Sequence, residues 1–167
     1  PFFWPIAYPA LIALAALITG PQASAGQLIS LLAGAAIAPL VYWMVREYRP
    51  QASVGAIVAG LLTAVAAQLL LSSLSIMADT SALFWGALSA LCMVRYVPRL
   101  SWKWLVLAAV TLAFAVLTRW VYALLAFPWG LSALLAWHDA RTPLRQRAIA
   151  AIVAVAVGGG IFGLHFA

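Results

Sequence analysis

Long apolar runs separated by short polar connections dominate the chain. The runs at 27–45, 54–74, 80–94, 102–118, 120–137 and 148–166 carry no Asp, Glu or Arg, and only Lys103 among the lysines. A helix needs roughly 20 residues to cross the hydrocarbon of a bilayer, fewer when it bends. The pattern therefore predicts an all-α fold, a polytopic membrane bundle of about six helices. Residues 1–21 differ. They open with PFFWPIAYP and continue as LIALAALITG. The apolar part after Pro9 is about eleven residues, short for a crossing. Trp4 and Tyr8 are amphipathic aromatics that favour the headgroup layer. This stretch reads as an interfacial, juxtamembrane helix that ends at Gly20 and Pro21. A full crossing by this segment is also compatible with the charges.

Helix breakers mark three of the runs. Pro39 removes one backbone bond and predicts a bend in 27–45. FPWG at Phe127–Gly130 interrupts 120–137, and Gly158, Gly159 and Gly160 loosen 148–166 or permit close packing. Gln68 is the one strongly polar side chain of 54–74.

Composition removes the soluble alternative. The 167 residues are 67% hydrophobic and 7% charged, whereas a soluble domain is about a quarter charged. A net charge of +6 raises the possibility of a nucleic-acid partner, but its distribution argues against one. Arg46 and Arg49 form one group, Arg95, Arg99 and Lys103 a second, and Arg141, Arg145 and Arg147 a third. Each group sits at a connection between runs, which is the positive-inside pattern. Placing those connections in the cytoplasm puts residues 20–27, the stretch Leu74–Thr80 and the turn at Thr118–Arg119 outside. The expected location is the inner or plasma membrane, multi-pass.

Two charged residues depart from this pattern. Asp79 is the one acid outside the basic connections. It suits a helix start, where an acid meets free N–H groups and the positive end of the dipole. It equally suits a carboxylate that orients a polar substrate or helps hold a divalent cation such as Mg or Mn. Arg119 is the one basic residue on the expected outer side. It either snorkels to the headgroups or holds a phosphate through charge-assisted bonds. Gln68 fits a bond across helices better than catalysis. His138 and Asp139 fit a basic loop or helix end better than an acid–base pair. Cys92, the single cysteine, reads as a small buried hydrophobe. No HExxH, Walker A, GxGxxG or GxSxG motif is present. The lack of paired intramembrane acids speaks against a proton pump.

The order of these features resembles the membrane glycosyltransferases of the GT-C superfamily, in particular the protein-mannosyltransferase-like group that includes lipid A aminoarabinose transferases. The matching parts are Ala7–Ala10, the short helix Leu11–Gly20, the helices Leu28–Glu47 and Val54–Leu74, the acidic element Met77–Leu83, the basic break Arg95–Arg99 and the element Leu117–Trp120. The resemblance implies a polyprenyl-phosphate-linked sugar as donor and transfer to an acceptor on the extracytoplasmic side. The lipid phosphate would be the leaving group. It implies that Asp79 aids substrate or metal binding, that Arg119 lies near the donor phosphate, and that Tyr8 and Pro9 line the entrance. The family's paired prolines are here Pro9 and Ala10, with no preceding His. The family's principal acid belongs to a loop after a first membrane helix, and neither is in this chain. The expectation is an incomplete, by itself inactive part that packs against further helices of the same protein or a partner subunit, among membrane lipids and without nucleic acid. A transporter or flippase fragment and a non-enzymatic membrane subunit are the alternatives. The transferase reading requires one outer cavity that holds both Asp79 and Arg119. A transporter requires polar groups that converge near the midplane, and a subunit requires Asp79 and Arg119 to lie apart or merely to cap helices.

Overall fold

The computed structural model describes residues 5–139 together with 147–148, 151–152, 155–156, 159–160 and 163. Helices follow one another as α1 (Ala7–Thr19), α2 (Ala23–Tyr48), α3 (Ser53–Ala64), α4 (Ala67–Leu74), α5 (Ala78–Arg99) and α6 (Trp102–Thr118). A 3-10 segment, Trp120–Leu125, then runs into α7 (Ala126–Asp139). No strand occurs among the described residues. The run 148–166, with its glycine triplet and His165, falls mostly outside them, as do Trp4, Arg141 and Arg145.

Local chemistry accounts for several boundaries. Gly20 ends α1 with φ 82°, a conformation that suits a residue without Cβ, and its N–H donates to the Ala16 carbonyl at 2.9 Å. Thirteen residues make α1 about 20 Å long, less than the hydrocarbon thickness. It packs along α2 and α6. Helix α2 runs unbroken through Pro39, where the sequence predicts a bend. Proline leaves one carbonyl unbonded, which a membrane helix tolerates. Helix α3 seats its Gly60 on this same stretch: a Cβ there would lie 3.4 Å from the Ala38 carbonyl oxygen and from Tyr42.

Two elements differ from the sequence reading. The run 54–74 is not one rod. It breaks at Val65–Ala66, and α3 and α4 meet at 49°. No glycine or proline lies at the break, so packing sets it. Helix α4 leans onto α2, where Gly34 has no side chain and Ser73 fills the space. Helix α5 continues past Val94 to Arg99 and carries Pro98 in its last turn. Tyr96 is buried to 1% exposure and anchors that extension. Leu100 stops it in the left-handed conformation, φ 48°, with its N–H bonded to the Tyr96 carbonyl at 2.7 Å.

Helix α5 is the hub, packed on α2, α6 and α7. Cys92, Met93 and Tyr96 meet Leu105 and Ala108 of α6 and Ala133 of α7. Ser89 ties the three helices together: its hydroxyl donates to the Ala108 carbonyl at 2.8 Å, and Trp129 Nε1 donates to Ser89 at 2.8 Å. Cross-helix bonds of this kind replace the hydrophobic drive that lipid cannot supply. Large apolar side chains face outward instead, among them Leu17, Ile18, Leu61, Phe127 and Leu135. Helices α2 and α5 are each long and apolar enough to cross a membrane, and α3 with α4 would make a third span if the bent pair counts as one. Helix α6 and the stretch Trp120–Ala133 are apolar but shorter. The chain is a multi-pass membrane protein.

Candidate functional site

Antiparallel packing of α5 against α6 creates the site. Only Leu100 and Ser101 join these helices, so the first turn of α5 must lie beside the last turn of α6. Asp79 occupies that first turn and Arg119 follows that last turn. Met77, not Asp79, holds the position before the helix, and no side chain caps it. Asp79 therefore sits at the positive end of the α5 dipole with its carboxylate turned sideways. Its Oδ1 accepts a hydrogen bond from Arg119 Nη1. The two side chains are 38% and 55% exposed. A pair that open contributes about 0–1 kcal/mol to stability, so holding the fold is a weak reason for its presence.

The pair lies on the wall of a cavity of about 870 Å³, near the top of the range of roughly 300–1,000 Å³ usual for small-molecule sites. Gln68, Leu69 and Ser72 of α4 form another wall, with Thr63 at the end of α3. Ile37, Leu62, Leu83 and Leu124 make much of the remainder apolar. One charged corner and long apolar walls suit an amphiphile, with an ionic head and a hydrocarbon tail.

The 3-10 segment supplies Tyr122 to the same wall. Its ring lies on Gly86 of α5, where a Cβ would come within 2.6 Å of the ring. Glycine at 86 is thus a packing requirement for Tyr122, and a separation of 36 residues hides the relation in the sequence. The hydroxyls of Thr80 and Ser81, next to Asp79, are buried and have no hydrogen-bond partner among the described residues.

Tyr8 and Pro9 are not brought to this cavity. Pro9 is exposed on α1. Tyr8, also on α1, is buried against α2, with its hydroxyl 3.0 Å from Ser30 Oγ and 3.5 Å from the Gly26 carbonyl. Ser30 in turn donates to the Met77 carbonyl at 3.4 Å. Tyr8 thus reaches the site indirectly, through a buried polar chain that ends two residues before Asp79. Gln68, expected to bond across helices, lines the cavity and makes no hydrogen bond with another described residue. The side chains of His138 and Asp139 lie outside the described ones. Among the described residues no group of three or more His, Cys, Asp or Glu converges. Among the described residues that line the cavity Asp79 is the one carboxylate, and it faces a guanidinium.

A family model described as dolichyl-phosphate-mannose-protein mannosyltransferase matches residues 17–158. No curated protein and no solved structure matches the chain.

Proposed function

The chain belongs to the dolichyl-phosphate-mannose-protein mannosyltransferase family, membrane glycosyltransferases of the GT-C type, and from that premise we propose that it carries the donor-phosphate part of a transferase using a polyprenyl-phosphate-linked sugar. The observation that carries this reading is the joint placement of Asp79 and Arg119 on one amphiphilic cavity. The apolar walls would take the prenyl chain from the bilayer. Arg119 would hold the lipid phosphate, whose negative charge grows as the bond to the anomeric carbon breaks; fixed positive charge there lowers the barrier. Asp79 keeps the guanidinium in place before the donor arrives and, once phosphate takes over that contact, is free to orient the polar head group. The acceptor then attacks the anomeric carbon from the face opposite the phosphate. The general base for that attack is assigned to no residue of this chain. A divalent cation would have Asp79 alone as a carboxylate ligand from the cavity's lining, so Arg119 carries the electrostatic role in this scheme.

The basic connections, taken as cytoplasmic, favour an extracytoplasmic site in an inner or plasma membrane. Further helices of the same protein or a partner subunit would complete the bundle. The test uses the intact protein in membranes with radiolabelled polyprenyl-phosphate sugars, scoring label that leaves the lipid for protein or lipid acceptors. Turnover that falls sharply in Arg119→Gln supports the reading. The absence of turnover with every donor, acceptor and divalent metal tried would leave a transporter or a non-enzymatic subunit.

A further inference from the structure

The wall that α4 contributes carries polar groups the charged corner does not need. Gln68 and Ser72 are four residues apart, so they share one face of α4, and both line the cavity. Neither makes a hydrogen bond with another described residue. The other serines of this region behave differently. Ser73 returns its hydroxyl to the Leu69 carbonyl at 2.7 Å, and Ser75 returns its own to Leu71 at 3.0 Å. Thr63 likewise donates to Ala59 at 2.8 Å. Back-bonding to the preceding turn is the usual way a hydroxyl satisfies itself in a membrane helix. Ser72, on the cavity face, is not satisfied this way.

Helix α3 is about 18 Å long before the break at Val65–Ala66, and Gln68 follows that break on the exposed, cavity-facing side of α4. Irregular backbone within a membrane protein is tolerated where it lines a cavity. We infer that the Gln68–Ser72 face of α4 is the wall that hydrogen-bonds the hydroxyl groups of the transferred sugar, and so determines which sugar the cavity accepts. The inference rests on the polyprenyl-phosphate donor proposed above and deepens it. A primary amide donates and accepts at once, which matches a pair of neighbouring hydroxyls. It carries no charge, so it adds nothing to the hold on phosphate. The division of labour is then spatial: Arg119 binds the anion that every donor shares, and α4 reads the part that differs.

The experiment measures binding to the full-length protein in nanodiscs. The probes are dolichyl-phosphate mannose and sugarless dolichyl phosphate, with undecaprenyl-phosphate aminoarabinose run in parallel. Gln68→Met keeps the length and removes the amide; Ser72→Ala removes the hydroxyl. Gln68→Met is expected to weaken a sugar-bearing lipid about tenfold and Ser72→Ala about threefold, with sugarless lipid unaffected. Arg119→Gln should weaken both kinds of lipid. Equal weakening of both by Gln68→Met, or unchanged binding of the sugar-bearing lipid, overturns the inference while leaving the transferase reading intact. Wild-type protein that binds none of these lipids overturns the transferase reading and this inference with it. A thermal melt of each variant separates lost contacts from lost fold.

Discussion

Helix α5 has a carboxylate–arginine cluster at each end, and the two are built differently. At its C-terminal end Glu47 of α2 accepts from two arginines, Arg95 Nε at 2.7 Å and Arg99 Nη2 at 3.0 Å. Glu47 is 18% exposed, and the Arg95 guanidinium also lies 4.8 Å from the centre of the Trp104 ring. Both carboxylate oxygens are used, aromatic surface covers the cation, and none of these residues lines the cavity. At the N-terminal end, about 24 Å away along the helix, Asp79 meets Arg119 alone among the described residues, more exposed, on the wall of the cavity. The same two side-chain types thus make a clamp at one end and an available charge at the other. Saturation and surroundings separate them: a fully engaged pair fixes two helices, whereas a singly bonded one can exchange its partner for a ligand.

The sharpest break in this comparison is expected from Arg119→Gln. Turnover of a polyprenyl-phosphate sugar should fall by 100-fold or more, on the order of 3 kcal/mol or more of transition-state stabilisation, while thermal stability in detergent stays close to wild type. A large loss of stability would place Arg119 with the clamp. Glu47→Gln should show the reverse. It leaves Arg95 and Arg99 facing each other and should cost about 1–2 kcal/mol of stability, read as a lower melting temperature, with turnover per folded molecule retained. Tyr8→Phe should give the smallest effect. It removes the bond to Ser30 in the chain that supports Met77, for about 1 kcal/mol. A few-fold drop in kcat with KM held would mark Tyr8 as positioning the start of α5, whereas a change in KM alone would put it at the donor entrance.

What was legible in the sequence follows from periodicity and charge. Apolar runs and basic connections are local signals, and the bounds of α6 agree with the run 102–118 residue for residue. Asp79 and Arg119 stood out as exceptions to a charge pattern. Their meeting follows from the short link between α5 and α6, which forces antiparallel neighbours. The break between α3 and α4 is not legible in the sequence, because Val65 and Ala66 break no helix by themselves; it goes with the seating of Ser73 of α4 against Gly34 of α2. The extension of α5 through Pro98 was hidden for a similar reason, since the burial of Tyr96 outweighs the proline. Glu47 sits among basic residues, and its two partners lie 48 and 52 positions away, so no local signal marks the cluster. Gln68 was visible as a lone polar residue, but only the cavity shows which way its α4 wall faces.

The most direct test of the account compares Asp79→Asn with Glu47→Gln in the intact protein. Both would be brought to matched amounts in membranes, with label released from a radiolabelled polyprenyl-phosphate sugar as the readout. The account predicts turnover by wild type, near-wild-type turnover per folded molecule in Glu47→Gln, and a loss of at least about tenfold in Asp79→Asn. Full activity in Asp79→Asn, or equal losses in both variants, would contradict it: the two ends of α5 would then serve the same structural purpose.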